Sequence, residues 1–399
     1  MTIANADRQE TLPLPKPDDY TLQLDWSLDR NPASLVDFLL AELTNGGCAA
    51  IICNTVRRAQ DIYRVLSDAN LVPEDDLILF HSRFPPVWRK EIEDKVLKKF
   101  GKDGERPQKA IVVATQVIEQ SLDIDFDLMI TDLAPIDLIL QRAGRLHRHK
   151  DNERYGLPRR LMITEPEKDD EGLPDFGVDK WIYAPYILLR SYLSLHGREQ
   201  IEIPKNTFEL IEAVYDENAD LPFPNEEWQI KNQKNLEKLK NEEREKEINA
   251  GKYLILAPQK RRYLHPPIYE LDEDNPEVHK AFQARTRDID LSLTVICLHQ
   301  IDGKIGVYND NGMWTRIDLD KNLSAIQAKS LLKNALSLQH KGVITPLLAQ
   351  KLPTKWQEKA SLRYCRYIIF KDGLCEDIKN YSLSLNQETG LTIIKKEDV

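Results

Sequence analysis

The chain is poor in cysteine, and it contains no long apolar run. Five of its 399 residues are cysteine. No apolar segment approaches the ~18 residues that a membrane-spanning helix needs. The N-terminus lacks the charged and then apolar pattern of a secretion signal. From these absences we predict a cytoplasmic protein with no membrane partner.

The cysteines form no CxxC pair, and no histidine stands near them at zinc-ligand spacing. Scattered cysteines of this kind are typical of reduced thiols inside cells. The sequence therefore predicts no metal site. The five residues are Cys48, Cys53, Cys297, Cys365 and Cys375.

The balance of charge is acidic, with 55 Lys and Arg against 65 Asp and Glu, which gives a net charge of -10. This balance argues against a broadly basic nucleic-acid binder, but it allows a local basic groove. Apolar residues at 41% and aromatics at 8% fit an ordinary soluble protein of two or three domains.

Short apolar runs alternate with helical patterns in the first part of the chain. The runs begin near residues 48, 77, 110, 128 and 161, and helices of ten or so residues separate them. This alternation predicts an α/β fold with a parallel sheet and helices on both faces. A highly charged helix over 225–250 follows as a linker, and β-like segments mixed with helices, including a helix over 324–336, predict a small α+β domain.

The stretch 110–149, AIVVATQVIEQSLDIDFDLMITDLAPIDLILQRAGRLHRH, carries the clearest chemistry. A hydroxyl at a strand end, Thr115, can contact a phosphate, and a later carboxylate, Asp123, can accept bonds from a ribose. Arg142, Arg145 and Arg148 recur every three residues, and guanidinium groups bind phosphate oxygens bidentately. The alternative is a solvated basic helix end that the helix dipole favours.

ATQVIEQSLDIDFD followed by QRAGRLHR resembles the fifth and sixth motifs of superfamily 2 helicases. It looks most like the helicase-nuclease of type I CRISPR interference. The resemblance implies that Asp123 contacts the ATP ribose, and that Arg145 and Arg148 face its phosphates. It also implies that Gln141 lies near the nucleotide and that Arg142 has a bridging or structural role.

The same resemblance implies contacts to single-stranded DNA. Thr115 matches a position on the DNA backbone, as do Asn54 and Thr55 in the fourth motif, where helix capping alone is the competing interpretation. The string HSRF adds His81 and Arg83, and a TR-containing segment adds Arg287.

If the resemblance holds, the domains follow in order. We expect a flexible segment at 1–19, a second RecA-like helicase domain at 20–165, a helical extension and linker at 166–250, and an accessory domain at 251–399. The sequence has no GxxxxGK[ST] loop, no DExH string and no His-Asp dyad of an HD nuclease. We therefore expect no ATP hydrolysis by this chain alone and no nuclease site.

The leading hypothesis is a motor half of a DNA helicase in CRISPR antiviral defence. Its ATP site would be completed by a first RecA-like domain, or a helicase-nuclease subunit, that also holds Mg²⁺. Its other partners would be single-stranded DNA and the CRISPR surveillance complex. The alternatives are a non-catalytic module that docks on that complex or on the full helicase, and an unrelated superfamily 2 remodeller that acts on RNA.

Overall fold

The computed structural model describes residues 2–4, 9–11, 18–119, 122–251, 292–376 and 378–396. The chain forms two compact units. The first comprises residues 1–224, 308–315 and 383–393, and the second comprises 225–307, 316–382 and 394–399. Among the described residues, no helix has the length and apolar character to cross a membrane.

The first unit alternates strands and helices. Two three-residue strands, Thr2–Ala4 and Gln9–Thr11, pair with each other at the start. The main elements are β1 Tyr20–Asp25, α1 Pro32–Glu42, β2 Gly47–Ile52, α2 Val56–Asp68, β3 Leu77–Phe80, α3 Pro86–Phe100, β4 Lys109–Ala114, β5 Leu128–Asp132, α4 Ile136–Ala143, β6 Arg160–Thr164, α5 Pro185–Leu195, β7 Gln200–Ile203 and α6 Thr207–Tyr215. A hairpin of Glu167–Lys168 and Pro174–Asp175 lies between β6 and α5.

A seven-stranded sheet organises this unit, in the order β7-β1-β6-β5-β2-β4-β3. Six of the seven strands pair in parallel with their neighbours, in the order β1-β6-β5-β2-β4-β3. The seventh strand, β7, pairs antiparallel with β1 at one edge of the sheet. Strands β2 and β5 are buried along their whole length. Such continuous apolar strands are typical of a parallel sheet that helices cover on both faces. The predicted α/β fold class is confirmed.

Local sequence explains where two helices begin. The side chain of Asn31 accepts a hydrogen bond from the amide of Ala33, and Pro32 takes the first helical position of α1. Thr55 caps α2 by accepting from the amide of Arg58. Both side chains satisfy amides that have no partner within the helix. These caps fix the helices next to the strand ends that precede them.

The second unit begins with the charged helix α7, Glu226–Gly251. The second sheet is built from strands in the order β10-β9-β8-β12-β13-β14-β15, with β11 paired to β8. The elements that follow α7 along the chain are β8 Leu293–Ile301, β9 Lys304–Tyr308, β10 Trp314–Arg316, α8 Ala325–Lys333, β11 Ala335–Leu338, α9 Lys341–Leu348, α10 Thr354–Gln357, β12 Arg366–Lys371, β13 Leu374–Cys375, β14 Tyr381–Asn386 and β15 Gly390–Lys395. Residues 383–393 belong to the first compact unit.

The helix predicted over 324–336 is wrong at its C-terminal end. Helix α8 ends at Lys333, and β11 follows within two residues. β11 pairs antiparallel with β8, with Leu338 opposite Leu293. Leu336 and Leu338, which continue the helical pattern in the sequence, are thus buried by pairing with a distant strand. Pairing across the sheet outweighs the local helical propensity here.

The turn between β14 and β15 packs closely on the first unit's sheet. Gly390 has φ +66°, and a Cβ atom there would lie 2.7 Å from the Arg83 carbonyl oxygen and 2.9 Å from Cε1 of His81. The amide of Leu391 donates to the same Arg83 carbonyl. This position therefore requires glycine for its backbone conformation and for the close approach.

We expect Gly390→Ala to lower the free energy of unfolding by about 2–4 kcal/mol, because strain at positive φ and overcrowding add. Gly172→Ala is the matched control, since Gly172 has φ +78° and open space around its Cα. That control carries only the backbone cost of about 1 kcal/mol. Thermal unfolding measures both, and equal losses would contradict the packing described.

Candidate nucleotide and nucleic-acid site

The candidate site has two parts. One is the set of loops at the carboxyl ends of β2, β4 and β5. The other is the Arg148–Asp123 pair, beside the residues that lead into β5, where Phe126 bridges Leu146 and accepts from the His147 amide.

In the sheet β2 pairs with both β4 and β5, so the loops after these strands meet at one edge. The loop after β4 contains a 3-10 turn, Gln116–Glu119. Gln116 Nε2 donates to the Asn54 carbonyl (3.1 Å) and to the Tyr183 hydroxyl (2.9 Å). This side chain therefore joins the loops after β2 and β4.

The residues predicted to contact DNA differ in accessibility. The side chains of Asn54 and Thr115 are buried, at 3% exposure each. Asn54 Nδ2 donates to the Leu133 carbonyl at 2.7 Å. Thr55 is partly exposed at the cap of α2. Of these three residues, only Thr55 offers side-chain surface to a ligand in this conformation.

His81 is fully buried and packs inside the first unit. Its ring stacks on Phe84, and Nε2 lies 3.1 Å from the Thr389 carbonyl. Nδ1 accepts from the Arg83 amide. Burial, with the nearby charge of Arg83, lowers the pKa of His81 to about 3. The predicted DNA contact by this ring stays a prediction, and in this conformation its nitrogens have protein partners.

Two further predicted DNA contacts concern arginines. Arg83 is partly buried, and burial lowers the pKa of its guanidinium. Arg287 lies outside the described residues.

Arg142 is buried completely and has the contacts of a structural residue. Its Nε bonds Glu119 Oε1 at 2.7 Å, and Nη1 donates to Thr131 Oγ1 at 2.6 Å. Arg145, at 9% exposure, donates to the carbonyls of Ile118 (3.2 Å) and Glu119 (2.7 Å). The two arginines thus hold the 3-10 turn after β4 from below.

Arg148 and Asp123 meet at the surface. Arg148 Nε donates to Asp123 Oδ1 at 2.6 Å, and His149 Nε2 lies 3.1 Å from the same oxygen. These hydrogen bonds hold the pKa of the Asp123 carboxyl below its ordinary value. The side chains of Arg148 and Asp123 are 46% and 54% exposed, so a ligand can reach both. Gln141 is also exposed, on α4.

Sequence reasoning missed the carboxylates that hold this loop in place. Asp125 has no solvent-exposed surface and accepts from the amide of Arg148 (2.5 Å), from Asn152 Nδ2 (2.6 Å) and from Arg154 Nη1 (2.7 Å). Burial opposes its ionisation, but the bonds from Arg154 and Asn152 outweigh burial and lower its pKa. Asp127, equally buried, bonds Arg154 Nη1 at 2.8 Å.

Arg106 completes this buried network, since its Nη2 lies 2.9 Å from Asp127 Oδ1. The sequence does contain a sign that Asp125 and Asp127 are buried, because each has apolar neighbours in the string DIDFD. Residues flanked by buried Ile124 and Phe126 have little chance of reaching solvent. Their arginine partners stand 19 or more residues away in sequence, so spacing did not identify them.

A third buried carboxylate, Asp132, fixes the end of β5. Arg58 Nε donates to it at 2.8 Å, the amide of Asn54 at 3.0 Å and Thr164 Oγ1 at 3.0 Å. Burial raises the pKa of this carboxyl, but Arg58 and Arg30 more than offset burial, so its pKa is lowered. Asp132 therefore joins the end of β5 to the loop after β2 and to the start of α2.

Among the residues that the structure describes, no group of three or more His, Cys, Asp or Glu side chains could hold a metal ion. The chemical groups available at the candidate site are guanidinium groups, carboxylates and backbone amides. Guanidinium groups beside an exposed carboxylate suit the phosphates and ribose of a nucleotide.

Two family models match the chain. Residues 45–151 match "CRISPR-associated nuclease/helicase Cas3, C-terminal", and residues 287–391 match "Cas3 C-terminal domain". The first match includes Asp123, Arg145 and Arg148. The chain belongs to the Cas3 family.

Relatives and solved structures agree with this assignment. The chain is 32% identical over 397 residues to the "CRISPR-associated endonuclease/helicase Cas3" of Thermus thermophilus, a match that covers 87% of this chain and 42% of that protein. A solved structure titled "Crystal structure of CRISPR-associated protein" has a TM-score of 0.83 at 33% identity, covering 99% of this chain and 43% of that one.

Cas3 from T. fusca, in a crystal structure whose title names ATP, has a TM-score of 0.74 at 25% identity and covers 96% of this chain and 44% of that one. A chain in a "CRISPR RNA-guided surveillance complex, pre-nicking" has a TM-score of 0.70 at 25% identity, covering 96% of this chain and 45% of that one. The chain thus spans less than half the length of the Cas3 relatives it matches, in their C-terminal part.

We expect Asp125→Asn to destabilise this Cas3-family chain by about 1–3 kcal/mol, because Arg154 and Arg106 then share the single buried carboxylate of Asp127. Asp123→Asn, two residues away, removes an exposed pair that contributes about 0–1 kcal/mol. Urea unfolding at pH 7 compares the two substitutions. Similar losses would contradict the buried network described around Asp125.

His81 gives a pH prediction. Its folded pKa of about 3 lies below the ordinary value of 6.5, so its neutral form stabilises the fold above pH 6.5. That stabilisation is lost as pH falls from 6.5 toward 3, because the unfolded chain binds the proton first. Replacing His81 with Gln should therefore flatten the fall in unfolding temperature between pH 7 and pH 5.

The histidines His147 and His299, whose pKa values burial also lowers, are present in both proteins, so the difference between the two profiles isolates His81. Thermal unfolding at pH 7, 6 and 5 gives the two profiles. Parallel profiles would show that His81 is not buried in its neutral form.

Proposed function

We propose that the chain is the second motor half of an ATP-dependent single-stranded DNA translocase in type I CRISPR antiviral interference. A separate first RecA-like domain completes its ATP site. The observation that carries this proposal is the convergence of Arg148 and Asp123, which are 25 residues apart in sequence and bonded at 2.6 Å. Membership of the Cas3 family supports the helicase assignment.

The accessible groups fit one wall of a nucleotide site. Arg148 is half-exposed and can turn its guanidinium from Asp123 toward a phosphate, while the released carboxylate can accept hydrogen bonds from a ribose. Arg145 stays against the 3-10 turn and adds positive charge behind Arg148. Exposed Gln141 lies on α4, four residues before Arg145 in the sequence. ATP, when bound, supplies the free energy of hydrolysis of its terminal phosphate.

This wall needs another protein surface opposite it. Phosphoryl transfer requires a phosphate cradle and a bound Mg²⁺ in addition to arginine fingers. The sequence has no GxxxxGK[ST] loop, and its described residues contain no cluster of metal ligands. We therefore assign the cradle and Mg²⁺ to the first motor domain, and no ATP hydrolysis is expected of this chain alone.

The DNA strand lies along the loops after β2, β3 and β4 in this proposal. Thr55 contacts the backbone through its partly exposed side chain and the start of α2, while buried Asn54 and Thr115 act through their main-chain groups or shape the loops. Arg83 and Arg287 add positive charge. His81 supports the Arg83 loop from inside, since its Nδ1 accepts the Arg83 amide.

One short segment links the two ligands in this proposal. Thr115 begins it at the DNA side, and Glu119, held by Arg142 and Arg145, ends the 3-10 turn on the nucleotide side. Because Arg142 and Arg145 bind the side chain and a carbonyl of this turn, the arginine loop and the DNA-facing loop move together as one body when the two motor domains close. Closing and opening of the two motor domains would then move the strand.

The CRISPR surveillance complex is the proposed partner that delivers the DNA. The support is the similarity to a chain in a structure titled as an RNA-guided surveillance complex before nicking.

Mixing the chain with a Cas3-family protein truncated before the matched region, which retains its own first motor domain, should restore DNA-stimulated ATPase activity. We expect Arg148→Ala to reduce that activity by about 10³-fold or more, as for removal of an arginine finger. Arg198→Ala is the control, since Arg198 pairs with exposed Glu209 away from the site. Phosphate release from ATP is the measurement.

Full activity in Arg148→Ala would contradict the finger role. If the mixture binds the surveillance complex but never hydrolyses ATP, the chain is instead a non-catalytic docking module.

A further inference from the structure

The second unit contains a basic cleft that the nucleotide site does not use. It has a volume of about 440 Å³ and lies between the turn after β8, the end of β10 and the loop after α9. Three cationic residues stand on its rim, Lys304, Arg316 and Lys351. This concentration of positive charge contrasts with the net charge of -10 of the whole chain.

The backbone is well ordered by hydrogen bonds and a tight turn at two of the rim cations, Lys304 and Arg316. Lys304 follows a tight turn in which Asp302 and Gly303 have φ +50° and +72°, as a two-residue hairpin requires. Arg316 ends β10, and the next amide, of Ile317, donates to the Ile305 carbonyl at 2.8 Å. All three cationic side chains are exposed, and none takes part in an ion pair with a described residue.

The cleft also contains two carboxylates, Asp318 and Asp320. Lys321 Nζ lies 3.3 Å from Asp318 Oδ2, so this carboxylate already has a cationic partner. The charge of Arg316 also stabilises the Asp318 carboxylate, so four cations, including Lys321, stand against two carboxylates. The cleft therefore attracts an anion.

The floor of the cleft is apolar and aromatic. Ile305, Leu319 and Tyr367 pack from above against the core of the second unit. The Tyr367 ring meets buried Trp356 edge to face at a centroid distance of 5.5 Å. Gln350 bonds both the amide and the carbonyl of Tyr367. Tyr367 is therefore held both at its ring and at its backbone, and it lines the cleft.

We propose that this cleft binds a segment of single-stranded nucleic acid, with a backbone phosphate among Lys304, Arg316 and Lys351 and an adjacent sugar or base on the Tyr367 floor. This inference rests on the proposed function, to which it adds a second contact site for the strand. A cationic rim above an aromatic floor suits a ligand in which phosphates alternate with flat bases. An acidic peptide would use the rim but would gain less from the floor.

The test uses the full chain and a fluorescently labelled oligo-dT, with binding measured by anisotropy over a range of salt concentrations. Each phosphate contact to a single strand contributes about 0.7 to the slope of log K against log salt. Replacing Lys304, Arg316 and Lys351 together with Ala removes the one phosphate contact proposed here, so the slope should fall by about 0.7 and binding at 0.1 M salt should weaken by about tenfold or more.

A matched control replaces Lys329, Lys341 and Lys371 with Ala, since these exposed lysines of the second unit do not line the cleft. The control changes the net charge equally, and its slope should stay close to that of the unaltered chain. Equal losses in both triple variants would overturn the proposal, because only general charge would then matter.

Other outcomes separate this inference from the proposed function. If the unaltered chain binds the oligonucleotide and the cleft variant binds it equally well, the cleft proposal fails while the function stands. If the unaltered chain does not bind the oligonucleotide, the cleft proposal fails, and the ATPase activity of the mixture with the first motor domain still decides the proposed function. If poly-glutamate competes for the cleft and abasic DNA binds as tightly as oligo-dT, the ligand is an acidic chain rather than nucleic acid.

Discussion

The buried ion pairs of Asp125 are the interaction on which the candidate site depends. This carboxylate has no exposed surface, and it holds the amide of Arg148 and the guanidinium of Arg154 together. A carboxylate is costly to bury unless its partners are complete, and here the loop 148–154 supplies most of them and Arg106 adds another. That loop is consequently fixed against the sheet, and Arg148 projects from a rigid base toward Asp123.

The three arginines have different roles because the loop that carries Arg148 is fixed against the sheet. Arg142 and Arg145 point inward and hold the turn after β4, whereas Arg148 points outward and has an exposed, exchangeable partner. A weak surface pair between Arg148 and Asp123 can open at little cost when a ligand competes for both groups. The same three-residue spacing thus produces two structural residues and one accessible one.

The sequence allowed the parallel sheet and the capping role of Thr55 to be predicted, because both depend on local pattern, and the resemblance implied that Asp123 and Arg148 share one nucleotide. The edge strand at Gln200–Ile203 and the strand at Ala335–Leu338 depend on distant partners and were not predicted. The burial of His81 was hidden for the same reason. Its partner, the Thr389 carbonyl, comes from a turn 308 residues later.

The central claim is that Arg148 and Asp123 exchange their mutual contact for a shared nucleotide. The most direct measurement is a structure of this chain bound to a Cas3-family first motor domain and a non-hydrolysable ATP analogue. We expect the Arg148 guanidinium to lie about 2.7–2.9 Å from a terminal phosphate oxygen, with Asp123 turned to the ribose. An intact Arg148–Asp123 pair, with the nucleotide bound elsewhere, would contradict it.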